Sequence, residues 1–324
     1  MTTLLDSLGS VASPLGPGVV VRPRTERELA HVLMVLKERG ASLGVEVTLD
    51  RAGFAHLGQV HEASMTIEAG AGVAVSDVEA KANALRLSLG ALPPAAWRLD
   101  VGALVESPTQ AFRVVVPGRL EPLAARVTGV LADGRRVASP PGPRHATGPD
   151  LASLLLGAGG VVGLVTSATL RLVPLHEHEQ RRTFSFSNSV PALEALREAL
   201  SAGVLLSRVV VRSRAGRALV EITLRGAAAQ VDRELQLFGR VAERGGGRFE
   251  GQGQELPVDG DEAEVSWAAL ARALSVGGAV ELYRVSLSSV VARGVAVAEF
   301  DPPSPLTAAL RAAFDPTRAL GSRS

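Results

Sequence analysis

The sequence predicts an α+β fold in two parts, and three observations lead there. At 324 residues the chain is long enough to bury two cores. Residues 126–174 read as a tight hairpin, a glycine-rich turn and a strand. Beyond residue 174, helical periodicities alternate with strands on short turns, the mix of an α+β domain.

Residues 1–18 are small and rich in Gly and Pro, and they are expected to be loosely held. Val19-Val20-Val21, ahead of Arg22-Pro23, reads as a short strand. Thr25-Glu26-Arg27-Glu28 has the form of a capping box. Leu29, Val32, Leu33 and Leu36 follow at helical spacing, with Gly40 as the stop. Residues 66–73 read as a strand and turn, and Ser76-Asp77-Val78-Glu79 as the cap of the next helix. Asp133-Gly134 between apolar runs marks a hairpin, because the turn needs positive φ and Gly supplies it without strain. Leu164, Ala168, Leu170 and Leu172 alternate with Val165, Ser167, Thr169 and Arg171, the period of a half-buried strand. Residues 190–202, 227–243 and 262–274 read as helices, with Pro191 in a first turn. Residues 204–212, 218–225, 279–287 and 290–299 read as strands, and Gly245-Gly246-Gly247 as a break.

Composition removes several function classes. Hydrophobic residues at 46% against 21% charged describe a globular chain. A net charge of +1 leaves no broad nucleic-acid footprint, and 3% aromatics make no stacking platform for bases. The absence of cysteine excludes disulfides, thiolate metal sites and a cysteine nucleophile. No basic region followed by an apolar core opens the chain, so a cytoplasmic location is expected. Residues 151–170 carry no charge, and Gly159 and Gly163 match GxxxG. The glycine cluster and the strand alternation nevertheless argue against a membrane span.

Two glycine motifs have the wrong order for their best-known uses. A dinucleotide fingerprint needs strand, glycines, helix, whereas Gly157-Ala158-Gly159-Gly160-Val161-Val162-Gly163 leads into a strand. Gly40-Ala41-Ser42-Leu43-Gly44 fits a nucleophile elbow by residue type but follows a helix and enters a strand.

Taken as an ordered set, four segments resemble the FAD-linked oxidases of the vanillyl-alcohol oxidase type, which carry a PCMH-type FAD-binding domain. These are Val130-Leu131-Ala132-Asp133-Gly134, Gly148-Pro149-Asp150-Leu151, residues 157–166, and Thr169-Leu170-Arg171-Leu172-Val173-Pro174. Leu87 to Pro94 and Asp100-Val101-Gly102-Ala103 extend the match upstream, and Phe314-Asp315-Pro316 extends it to the far end. The FAD-binding subunit of glycolate oxidase belongs to this family. The resemblance implies a FAD-binding domain over residues 1–174, a ferredoxin-like substrate domain over 175–300, and a segment, 301–324, returning to the first domain. It implies non-covalent FAD held by Pro93, Val101, Gly102, Gly157, Gly160, Gly163, Leu164 and Val165. It also implies oxidation of a small 2-hydroxy acid such as glycolate or lactate, beside a second flavoprotein subunit and an iron–sulfur subunit.

The sequence departs from the family where the flavin diphosphate is held. Relatives place a Gly-Gly-x-(Ser/Thr) loop after the first helix, whose oriented amides supply partial positive charge. Here residues 40–45 run straight into Glu46-Val47-Thr48-Leu49-Asp50. Relatives also carry Thr-(Ile/Val)-Gly-Gly where this chain has Asp100 and Ala103. Asp100 reads equally as a helix cap. His176 and His178 flank Glu177 with no third metal ligand in view, His56 and His61 lie in loop-like sequence, and His145 reads as a surface loop residue. Tyr283, the only tyrosine, reads as a half-buried strand residue, and no catalytic residue is identified. Two functions follow: a FAD-dependent oxidoreductase subunit, or a member of the same fold that has lost FAD and serves in binding or assembly.

Overall fold

The structure is a computed structural model that describes residues 2–108, 110–116, 119–140, 151–176, 178–214, 216–252, 262–275, 278–283, 289–294, 309, 312–315 and 319–320. The expectations for His145 and for residues 148–150, Glu177 and Pro316 lie outside them.

Residues 2–15, expected to be loose, carry a helix α1 (Thr2–Leu8) and a strand β1 (Ala12–Leu15). Strand β1 pairs antiparallel with β2 (Gly18–Val21). A seven-residue helix has no stability of its own. Here Ser7 is tied to α2 (Glu26–Arg39) through its carbonyl to His31 at 3.2 Å and its hydroxyl to Arg39 at 2.7 Å. The Thr25 hydroxyl caps α2 by accepting the Glu28 amide at 3.1 Å, while the Glu28 carboxylate reaches past Thr25 to the Arg24 amide at 2.6 Å. Gly40 ends the helix at φ 64°. Leu29, Val32, Leu33 and Leu36 are fully buried, each worth roughly 1.5–3 kcal/mol of transfer. β3 (Val47–Leu49) then pairs parallel with β2.

A five-stranded sheet follows. β4 (Leu57–His61) and β5 (Thr66–Gly70) form a hairpin, and α3 (Val75–Asn83) packs beside them. Helix α3 begins one residue before Ser76, after Ala74, which makes no side-chain cap; Ser76 and Asp77 sit inside the first turn. A short pair joins β6 (Leu87–Ser88) to a strand described below. α4 (Val101–Glu106) is followed by the hairpin of β7 (Phe112–Val116) and β8 (Arg119–Pro122). β9 (Ala124–Leu131) turns at Asp133-Gly134 into β10 (Arg136–Ala138), with Gly134 at φ 85° as the turn requires. β11 (Gly163–Arg171) lies between β9 and β5 and gives the order β10-β9-β11-β5-β4. β12 (Val173–Pro174) pairs with β6. Among the described residues no helix is long and apolar enough to cross a membrane. Residues 151–170 fold instead as a 3-10 turn, the glycine turn and most of β11.

The remaining strands form one antiparallel sheet of seven. In chain order these are β13 (His178–Phe186), α5 (Ser189–Ser201), β14 (Arg208–Arg214), β15 (Arg217–Gly226), α6 (Ala228–Arg244), β16 (Arg248–Gln252), β17 (Glu262–Ser266), α7 (Trp267–Ser275), β18 (Gly278–Tyr283) and β19 (Ser289–Arg293). The strand order is β16-β13-β15-β14-β18-β19-β17. Residues 262–266, expected to open a helix, are the edge strand β17. Helix α7 starts only at Trp267, where the Ser266 hydroxyl accepts the Ala269 amide at 3.2 Å. Helices α5, α6 and α7 cover one face, burying Phe184 against Phe238 with ring centroids 5.1 Å apart. The other face is polar, presenting Arg208, Arg212, Glu221, Thr223, Glu281 and Tyr283. The whole is an α+β fold.

Candidate functional site: a cofactor cradle closed by an ion pair

The cluster at the expected cofactor site starts from Asp50. Its carboxylate pairs with Arg22 and accepts the Ala52 amide at 2.8 Å, so that Asp50 caps a 3-10 turn over Arg51–Phe54. That turn aims Arg51 inward. The Arg51 side chain is 7% exposed, and its Nη2 donates to Glu106 Oε2 at 2.6 Å. Its Nη1 meets Asp100 Oδ1 at 3.4 Å. Glu106 closes α4 with its side chain 2% exposed, and its second oxygen accepts the Val165 amide at 2.8 Å. Asp100 is the N-cap of α4, accepting the Ala103 amide at 2.6 Å, so the capping role and the ion pair coincide in one residue.

The Val165 amide lies beyond Ser167–Gly70, the last pair that β11 makes with β5, and beside a slip in the β9–β11 register between Val165 and Ser167. A bulge leaves ladder groups without strand partners, and Glu106 supplies the acceptor that the strand does not. Burial works against the Arg51 charge, but the Glu106 and Asp100 carboxylates outweigh it and hold the guanidinium pKa above its usual range. Breaking a buried pair of this kind costs about 3–5 kcal/mol, since the remaining charge stays in low dielectric.

Of the eight residues expected to hold FAD, Val101, Gly102, Gly157 and Val165 have main-chain amides that are already engaged. The Val101 amide donates to Val73 O at 2.9 Å, and the Gly102 amide to Ala71 O at 2.9 Å. Gly157 donates to Val105 O at 2.9 Å, and its neighbour Gly159 to Glu106 O at 2.7 Å. Gly163 and Leu164 pair with Leu131 and Val130 of β9. A Cβ on Gly163 would stand 2.5 Å from Val130 O, so this glycine serves strand packing. Gly157, Gly159 and Gly160 take φ of 66°, 61° and 73°. Gly160 is buried in the turn, and Pro93 lies buried ahead of the 3-10 turn Pro94–Arg98, with its carbonyl on the Ala96 amide.

The residues present do not fit a flavin diphosphate. A Cβ built on Gly102 would meet Arg51 Nε at 2.9 Å and Cδ at 3.0 Å, so the approach a bare glycine allows is filled by Arg51. One guanidinium facing Asp100 and Glu106 leaves the cluster net negative, the wrong sign for a diphosphate. Glu46, in the segment that follows helix α2, where relatives place the Gly-Gly-x-(Ser/Thr) loop, is exposed and accepts the Ser42 amide at 2.9 Å.

Sequence reading missed Arg51 and Glu106. The available signal was Glu106 itself, an acid ending the otherwise apolar run Val101–Glu106. An acid on a buried helix needs a cation, because burying an unpaired carboxylate is prohibitive.

Elsewhere the charged groups line clefts. One of about 590 Å³ is bordered by Arg22, Arg24, Glu28 and Gly53. Another of about 410 Å³ is bordered by Arg24, Glu26, His56, Glu68 and Ser167. None of the eight expected cofactor residues lines either. On the polar face of the seven-stranded sheet a cleft of about 230 Å³ is bordered by Thr183, Arg212, Glu221, Glu250 and Gln252. Beside it Arg208 bridges Glu281 and Glu221, the latter at 3.3 Å. Tyr283 is 4% exposed, not half-buried as expected. Burial, then the neighbouring Glu281 carboxylate, pushes its hydroxyl pKa up, and the hydroxyl makes no hydrogen bond of good geometry. Among the described residues no group of three His, Asp or Glu side chains is placed to hold a metal.

No family model matches the chain. Among curated proteins it is 22% identical over 205 residues to the alkyldihydroxyacetonephosphate synthase of Caenorhabditis elegans. That alignment takes in 57% of this chain and only 34% of the synthase, so the chain spans a minor part of the relative it matches. Two crystal forms of an alkyldihydroxyacetonephosphate synthase align with TM-scores of 0.63 and 0.66 at 14% and 13% identity. Each covers 95% of this chain and 76% of the other. A structure of p-cresol methylhydroxylase with substrate bound aligns with a TM-score of 0.58 at 12% identity, covering 96% and 81%. At these identities the likeness is one of fold.

Proposed function

We propose, for a chain that has the fold of the PCMH-type FAD-binding oxidoreductases, that it works without a bound flavin as a binding or assembly subunit. The observation that carries this reading is the Arg51–Glu106 pair, buried over Gly102 and joined to the Val165 amide. Oriented main-chain donors are what a diphosphate requires, and the Val101, Gly102, Gly157 and Val165 amides already have internal acceptors. Residues 1–174 form the FAD-type domain, 175–300 the second domain, and 301–324 the returning segment. The partners would be a flavoprotein subunit and an iron–sulfur subunit. The test is the colour of the purified protein. A colourless protein that releases no FAD on denaturation and takes none up on titration is the expected result. A yellow protein with stoichiometric FAD overturns the reading.

A second reading, FAD-dependent oxidation of a small 2-hydroxy acid such as glycolate or lactate, draws on the polar sheet face. Arg208, Arg212 and Arg293 there offer guanidinium groups of the kind that bind carboxylates in a planar fork. Bleaching of a bound flavin by glycolate or lactate would favour it.

A further inference from the structure

We infer that Glu106 is a resident ligand, a carboxylate from the chain itself seated in an anion-binding position formed by Arg51 and the Val165 amide. The inference rests on the flavin-free reading and deepens it, because it says what takes the anion's place. The geometry is that of a bound oxyanion. One Glu106 oxygen receives a charged donor at 2.6 Å and the other a main-chain amide at 2.8 Å. Two oxygens of one anion with separate converging donors, one a guanidinium and one a main-chain N–H, are how proteins commonly hold carboxylate and phosphate. The guanidinium is pre-set, since its turn is capped by Asp50 and its side chain lies against Gly102. Its buried Nε has no hydrogen-bond partner, so Arg51 has donor capacity beyond what the pair uses.

Removing the carboxylate should therefore leave a vacant site for a small oxyanion, which an added anion refills. The probes are inorganic phosphate and acetate, compared with chloride at equal ionic strength, and the readout is thermal unfolding of the full chain. Wild type should respond to phosphate and acetate no more than to chloride. Glu106→Ala should melt lower than wild type and regain roughly 4 °C or more, saturably, at anion concentrations far above the dissociation constant. The double variant with Arg51→Ala should lose that response. Where Glu106→Ala does not fold, Glu106→Ser, whose side chain is likewise too short to fill the position, takes its place, and the same anion-specific rise is expected of it. A folded Glu106 variant that answers phosphate and acetate no better than chloride overturns the inference, as does a response that survives loss of Arg51. FAD bound to wild type would sink the flavin-free reading. Anion-blind Glu106 variants alongside a colourless wild type would sink only this one.

Discussion

At the scale of single residues, Asp50 links the acid sensitivity of the chain to the cluster it supports. Its hydrogen bond with Arg22, then that with the Ala52 amide, holds its carboxyl below the ordinary 3.8. A carboxyl depressed in the folded state stabilises it fully above the unfolded pKa, and the contribution is lost as pH falls through the folded value. Stability is expected to decline below about pH 3.8 in part through this residue. Asp50→Asn should flatten that limb while costing less than about 1 kcal/mol at pH 6, because Arg22 is largely exposed. Urea midpoints of both proteins at pH 6 and pH 3 check this. A wild-type difference between the two pH values that the variant reproduces in full would remove Asp50 from the account. Asp100 was legible as a cap, and it is one. Its pairing with Arg51 was not legible, because the two residues are separated by 49 positions and meet only through the fold.

At the scale of elements, β11 is set by its neighbours as much as by its own alternation. Gly163 sits where a Cβ would lie 2.5 Å from Val130 O and 2.8 Å from Leu131 Cα, both main-chain atoms of β9. Gly163→Ala must part the strands and is expected to cost about 2–3 kcal/mol. Gly159 has φ 61° with nothing within 4 Å of a built Cβ. Gly159→Ala should cost only about 1 kcal/mol, the strain of a left-handed alanine. Chemical denaturation of the two variants compares them, and equal losses would refute the packing role of Gly163. Helix α2 was legible from its cap, spacing and stop. Residues 262–266 were misread because a five-residue strand runs directly into a helix, although Ser266 was an available N-cap signal. Helix α1 was missed because seven residues gain helical stability only from the partner they dock on.

At the scale of the whole molecule, the two ends of the chain meet. Asp315 is buried and its two oxygens accept the Ala319 and Leu320 amides at 2.8 and 3.0 Å. Ala319 O in turn accepts the Leu43 amide at 2.9 Å, and Ala319 and Leu320 join the core beneath α2. A chain ending at residue 300 is expected to lose protection from amide exchange across α2 first, while α5 and α6 keep theirs in a separate core. Unchanged exchange in α2 would count against the returning segment as a support. By itself the sequence determined the α+β character, the hairpin at Asp133-Gly134, helix α2 and the glycine turn into β11. Those features are encoded locally, in periodicity, capping and positive φ. Only the tertiary structure decided what sits against the expected cofactor residues, because Arg51, Asp100, Glu106 and Val165 converge from three segments. A buried charge declares its partner only once both have left water.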